Sequence, residues 1–117
     1  MTVGLRDLEE ELRTSHNEWR WYAASVIQDI RSGYICSYGE VARETNRRAG
    51  LNINARNVGW LRGYLYGRTN RDTSIPLHRL AKAGDTRCAA DSERTRREAK
   101  TLRIQERSWE NPKWWSF

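Results

Sequence analysis

Cysteine is scarce in this chain, with Cys36 and Cys88 the two thiols among 117 residues. They form neither a CxxC pair nor a metal-binding spacing, which argues against a disulfide framework and fits a reducing, intracellular setting. Long apolar runs are missing too. Nothing approaches the ~20 consecutive apolar residues of a membrane-spanning helix, and no apolar stretch after Met1 has the form of a secretory leader. The expectation is a chain with no membrane partner, located in the cytoplasm with the nucleoid, or in the nucleus if the source is eukaryotic. Lysine is also rare: Lys82, Lys100 and Lys113 are three of 21 basic residues. Apolar residues make up 38% of the chain, below the globular average.

What the chain has instead is arginine and large aromatics. Eighteen arginines give a formal net charge of +6. Guanidinium is planar and forked, so it suits phosphate contact and base stacking. A balance of this kind points to nucleic acid, with a solvated basic surface as the plain alternative. Six Trp and five Tyr carry enough apolar area to argue against disorder. The length is that of one domain.

Periodicity predicts a mainly helical domain with few or no strands. Leu5, Leu8 and Leu12 share one face of a short helix in an N-terminal extension over 1–17. Ser15 to Glu18 has the S-x-x-E form of a capping box, so a second helix is expected there. Its apolar stripe is Trp19, Tyr22, Val26, Ile27 and Ile30, and Gly33 is placed to end it. Ser37-Tyr38-Gly39-Glu40 repeats the S-x-x-E form and opens a short helix with Val41 and Ala42 inward. Thr45 to Asn52 reads as a polar turn. Asn52 or Asn54 then caps a helix reaching about Tyr66, before Gly67. Ala55, Val58, Leu61 or Arg62, and Leu65 line one side of it, with Arg56, Trp60, Gly63 and Tyr64 toward the other. Helix, polar turn and helix is the pattern of a helix-turn-helix. From Tyr38 to Arg71 seven arginines face two acids, a local excess of five.

Beyond this pair, Ser74 to Leu80 is expected to be extended around Pro76. Lys82 to Asp91 reads as a small wing or lid loop. A last helix starts at Asp91 or Ser92 and continues to about Arg107, anchored by Ala99, Leu102 and Ile104. The tail over 108–117, with Trp109, Pro112, Trp114, Trp115 and Phe117, reads as aromatic and irregular.

Three blocks then occur in order: Ser37-Tyr38-Gly39-Glu40-Val41-Ala42, Ala55-Arg56-Asn57-Val58-Gly59 and Ile75-Pro76-Leu77-His78-Arg79. Together they resemble the DNA-binding domain of O6-alkylguanine-DNA alkyltransferases, in which the third block reads Pro-Cys-His-Arg. The likeness spans roughly residues 19–106, within a core over 18–107. The nucleophile position here is Leu77, so the chain is more similar to the alkyltransferase-like proteins, which bind lesions without repairing them. The resemblance implies a winged helix-turn-helix-like domain that is not an enzyme. It would bind double-stranded DNA in the minor groove, flip an alkylated guanine out of the stack and flag it for nucleotide excision repair. It would act as a monomer, with no metal or cofactor.

By the same resemblance Arg56 would fill the gap left by the flipped nucleotide. Flipping costs a few kcal/mol of stacking and pairing, and an arginine can stack and hydrogen-bond at once. Tyr38 would press on the neighbouring phosphate, and Gly59 would let its helix approach the duplex. Asn57, Trp60, Arg47, Arg48 and Arg62 complete the expected DNA contacts. Pro76, Leu77, His78 and Arg79 would border the lesion pocket. Two other readings stay open at this point. One is a helix-turn-helix regulator or architectural protein without lesion recognition. The other is a transferase using Cys88, whose neighbour Arg87 could lower its pKa. Cys36 reads as buried and inert.

Overall fold

A computed structural model describes residues 2–14, 16–81 and 113–117. The lid loop and last helix expected over 82–107, Cys88 with Arg87, and Trp109 and Pro112 of the tail lie outside the described residues. Those residues are mainly helical. A 3-10 turn over Leu5–Leu8 leads into α1 (Glu9–Leu12), followed by α2 (Trp19–Gln28), β1 (Tyr34–Ser37), α3 (Tyr38–Ala49) and α4 (Ala55–Thr69). A second 3-10 turn (Leu77–Arg79), β2 (Leu80–Ala81) and β3 (Lys113–Trp114) complete the order.

The local signals that hold are caps. The Asp7 carboxylate accepts from the Gly4 N–H at 2.8 Å and starts the first turn. Ser37 Oγ accepts from the Glu40 N–H at 3.1 Å and starts α3. Of the two asparagines that could cap α4, Asn54 does so, with its Oδ1 accepting from Asn57 N–H at 3.0 Å. The cap of α2 differs from expectation, being Glu18 with no side-chain bond. That helix stops at Asp29, and Gly33, at φ 86°, turns the following loop toward β1.

Three further expectations are corrected. Thr45 to Ala49 remain helical rather than turning. Thr45 is buried because its hydroxyl donates to the Val41 carbonyl at 2.7 Å, a local bond that hides its polarity. Glu44 is sheathed by its own helix's arginines, Arg47 and Arg48. The helix ends instead at Gly50, left-handed at φ 65°. The connection to α4 is clamped by Asn46, which donates to the Ile53 carbonyl at 2.9 Å and accepts its N–H at 2.8 Å. Second, α4 passes through Gly67 to Thr69. Third, Ser74 to Leu80 is not simply extended. Leu77 N–H bonds the Ile75 carbonyl at 2.8 Å across Pro76, whose φ −79° and ψ 62° make an inverse γ-turn before the 3-10 turn.

β1 is the centre of a small parallel sheet ordered β2-β1-β3. Cys36 pairs with Leu80 and Ser37 with Ala81 on one side, and Tyr34 pairs with Lys113 and Ile35 with Trp114 on the other. The end of the tail is therefore ordered by strand pairing. Trp115 N–H extends it to the Ile35 carbonyl at 2.7 Å, and the Trp115 ring meets Tyr34 edge-on at 5.3 Å. Helices α2, α3 and α4 enclose one core that includes Leu8, Leu12, Ile27, Ile30, Val41, Val58, Leu61, Leu65, Ile75, Leu77 and Leu80. Each such leucine or isoleucine contributes about 1.5–3 kcal/mol by leaving water. Among the described residues no helix is long and apolar enough to cross a membrane.

Candidate nucleic-acid interface

The packing of α3 against α4 brings two of the expected site residues together. Tyr38 opens α3, and its ring lies over Gly59 in the middle of α4. A Cβ added at Gly59 would meet Tyr38 Cε2 at 3.5 Å and Cδ2 at 3.6 Å, ordinary contact distances. Arg56 stands in the first turn of α4. It is exposed and makes no hydrogen bond or ion pair with a described residue. Asn57, expected to reach DNA, is occupied in a capping box, its Oδ1 accepting from the Asn54 N–H at 2.9 Å.

At about 100° per residue, the outward face of α4 carries Arg56, Trp60, Gly63 and Gly67, all exposed, with Gly59 at its edge. Apart from the flanking residues and the helix's own backbone, no described atom lies within 4 Å of a Cβ built at Gly63 or Gly67. Each mid-helix glycine costs about 1 kcal/mol against alanine, and no internal contact requires either one. The result is a helix face with bare backbone and two protruding side chains, Arg56 and Trp60.

Most of the other arginines counted in this region are already engaged. Arg43 pairs with Glu40. Arg47 bonds Glu44 at 2.6 Å, and Arg48 reaches both Glu44 at 2.7 Å and Asp29 at 2.6 Å. Arg68 bridges to Glu11 at 3.0 Å. Arg47 and Arg48 can thus offer only their unused donors to a phosphate. Arg62 turns inward: its Nε donates to the Leu77 carbonyl at 3.2 Å, and its guanidinium lies 5.1 Å from the centre of the Tyr66 ring. Its buried Nη2 has no hydrogen-bond partner among the described residues.

The Glu44 cluster gives a pH prediction. Hydrogen bonds from Arg47 and then Arg48 hold the Glu44 carboxyl down at about 2, from an ordinary 4.5. A depressed carboxyl stabilises the fold above its unfolded value, and that stability drains away as pH falls from about 4.5 toward 2. Glu44→Gln is expected to shrink the difference between urea midpoints at pH 7 and pH 3. An unchanged difference would show that the cluster does not contribute.

The loop bearing the third sequence block packs inward. Pro76, Leu77 and His78 are buried, and Leu77 is 0% exposed within the main core. Arg79 ties the loop back to the connection between α2 and β1, donating to the Ile30 carbonyl and to Ser32 Oγ, both at 2.8 Å. Cys36 is buried on β1. Burial, and then the charge of Glu40, push its thiol up to about 12, so it is protonated and inert at neutral pH. Among the described residues no group of three or more potential ligands could hold a metal ion.

Two features escaped the sequence reading. The first is that Gly63 and Gly67 continue the opening expected at Gly59; their four-residue spacing is visible in the sequence, but helix propensity alone treats them as defects. The second is an aromatic stack. Trp60 lies parallel to Tyr64 at 5.6 Å and 11°, and Arg20 covers the Tyr64 ring at 5.4 Å. Arg20 comes from another helix, so only the tertiary fold reveals it. Compared with protein-family models, curated proteins and solved structures, the chain matches none.

Proposed function

We propose that this protein binds duplex DNA without catalysing a reaction, laying the outward face of α4 along the minor groove with Tyr38 beside it. The observation that carries the reading is that face itself. An unpaired arginine stands at its start, and glycines beyond it leave the backbone open to close approach. A phosphate backbone rewards both features, since it attracts free cations and can come close to bare helix backbone beside the projecting Trp60. The winged helix-turn-helix reading and the three sequence blocks add the finer proposal. Arg56 replaces a flipped O6-alkylguanine, and the complex, formed by a monomer, flags the lesion for nucleotide excision repair. Leu77 offers no nucleophile, so nothing is transferred.

The test uses matched duplexes with and without one O6-methylguanine, at one stated salt concentration. Tighter binding to the lesion is expected, and mass spectrometry should find no methyl added to the protein. An added methyl would point to Cys88 as a nucleophile. Absence of binding to either duplex would end the proposal.

A second reading, a DNA-binding protein with no lesion pocket, is favoured by the complete burial of Leu77 in the core. It predicts equal affinities for the two duplexes. Both readings share a prediction for Gly63→Ala. The added methyl removes a helix penalty of about 1 kcal/mol and should stabilise the fold by that amount, while weakening DNA binding because it covers backbone that the strand approaches beside Trp60. A variant that is more stable and binds DNA equally well would show that this face stays in solvent.

A further inference from the structure

We infer that Trp60 is a stacking platform for an unpaired nucleobase, so that the protein prefers DNA with a locally unpaired base whether or not that base is alkylated. This rests on the DNA-binding reading above and names the feature of the duplex that the site selects.

Trp60 is 56% exposed, the most exposed large apolar side chain among the described residues. It is also held in place. Its ring is parallel to that of Tyr64, with centroids 5.6 Å apart, within the range of an offset stack. Tyr64 is fixed by its hydroxyl, which donates to Glu11 at 2.7 Å, and by the Arg20 guanidinium over its ring. Trp19 adds a tilted contact to Trp60 at 6.1 Å. Trp60 is thus held by Tyr64 and Trp19 while more than half of it stays exposed. A rigid, exposed aromatic plane loses little conformational freedom when another plane is laid on it.

The neighbours decide what that plane is. Around Trp60 the outward face of α4 offers Arg56 one turn before it and Gly59, Gly63 and Gly67 beside it. A protein helix docking there would find no aliphatic side chain to bury. A base that leaves the duplex finds an indole face to stack on, one helical turn from the free cation proposed to fill the gap it leaves. A base inside an intact duplex is already stacked on both sides and presents only its edge. The platform therefore gains contact only when a base is unpaired and can swing out.

The experiment compares binding to a fully paired duplex with binding to the same duplex carrying a single-nucleotide bulge, unmodified in both cases. 2-Aminopurine at the bulge reports stacking through its fluorescence. The wild type is expected to favour the bulge by roughly tenfold and to quench the probe. Trp60→Leu keeps apolar bulk without a π-face and should abolish both effects, while Trp60→Phe should restore part of each. Equal affinity for the two duplexes, or a preference that survives Trp60→Leu, overturns the inference and leaves the DNA-binding reading standing. Failure to bind either duplex overturns both.

Discussion

Truncating Leu77 to alanine is expected to lower the free energy of unfolding by about 2–5 kcal/mol, the usual cost of removing a fully buried leucine. Its side chain is sealed within the core formed by α2, α3 and α4. The backbone around it has little room to collapse into the space left. Pro76 sets the turn, the Leu77 carbonyl accepts from Arg62, and Arg79 anchors the next step to the connection after α2. The lost methyls would therefore leave a cavity rather than be refilled. Against a total stability of about 5–15 kcal/mol for a domain, the change is large. Urea denaturation measures it directly, with the midpoint falling and the slope unchanged. The same number discriminates between the two functional readings. A leucine that mainly walls an open hollow has less to lose, and truncation would then cost under about 1 kcal/mol while altering lesion affinity. A large loss of stability with the same DNA preference would make Leu77 a core residue and favour the reading without a lesion pocket.

How much of this was legible in the sequence depends on how local each cause is. Ser37 was readable, and Asn54 as one of two candidates with Asn52, because a cap involves residues three apart, and the helix pair followed from them. Cys36 was readable as a small buried side chain. Thr45 to Ala49 were misread because their polarity looks like a turn, while in the helix Thr45 bonds the carbonyl four residues back and Glu44 is neutralised from within the same helix. Those partners also explain why counting arginines overstated the available charge. The excess between Tyr38 and Arg71 is real, yet Arg48 spends itself partly on Asp29 and Arg68 on Glu11, acids that lie outside that window. The sheet was illegible for a different reason. β1 finds its partners at Leu80–Ala81 and Lys113–Trp114, and no periodicity within four residues announces pairing at such separations. At the candidate site the identities of Tyr38, Gly59 and Arg56 could be read. That Tyr38 lies on Gly59, that Arg62 turns inward and that Arg20 covers the Tyr64 ring all required the tertiary packing.

Arg56→Ala is expected to bring the affinities for lesion-bearing and unmodified duplexes to the same value while leaving the fold as stable as before. Stability should hold because Arg56 is exposed and contributes no hydrogen bond or ion pair to a described residue. Its position in fact costs something. A cation in the first turn of a helix opposes the positive end of the macrodipole, a penalty of about 0.3–1 kcal/mol, so alanine should be neutral or slightly stabilising. Any loss of binding then belongs to the contact with DNA. Two roles for that contact leave different signatures. An arginine that only pairs with a phosphate weakens both duplexes alike and lowers the salt dependence of binding by about one counterion. An arginine that enters the stack in place of a flipped nucleotide is worth most where the nucleotide leaves, so its removal falls on the lesion duplex and preserves much of the binding to intact DNA. Titrations of both duplexes at several salt concentrations separate these outcomes. A parallel loss on the two duplexes, with the preference intact, would move Arg56 from the interior of the helix to its backbone and leave the flipping proposal without its displacing group.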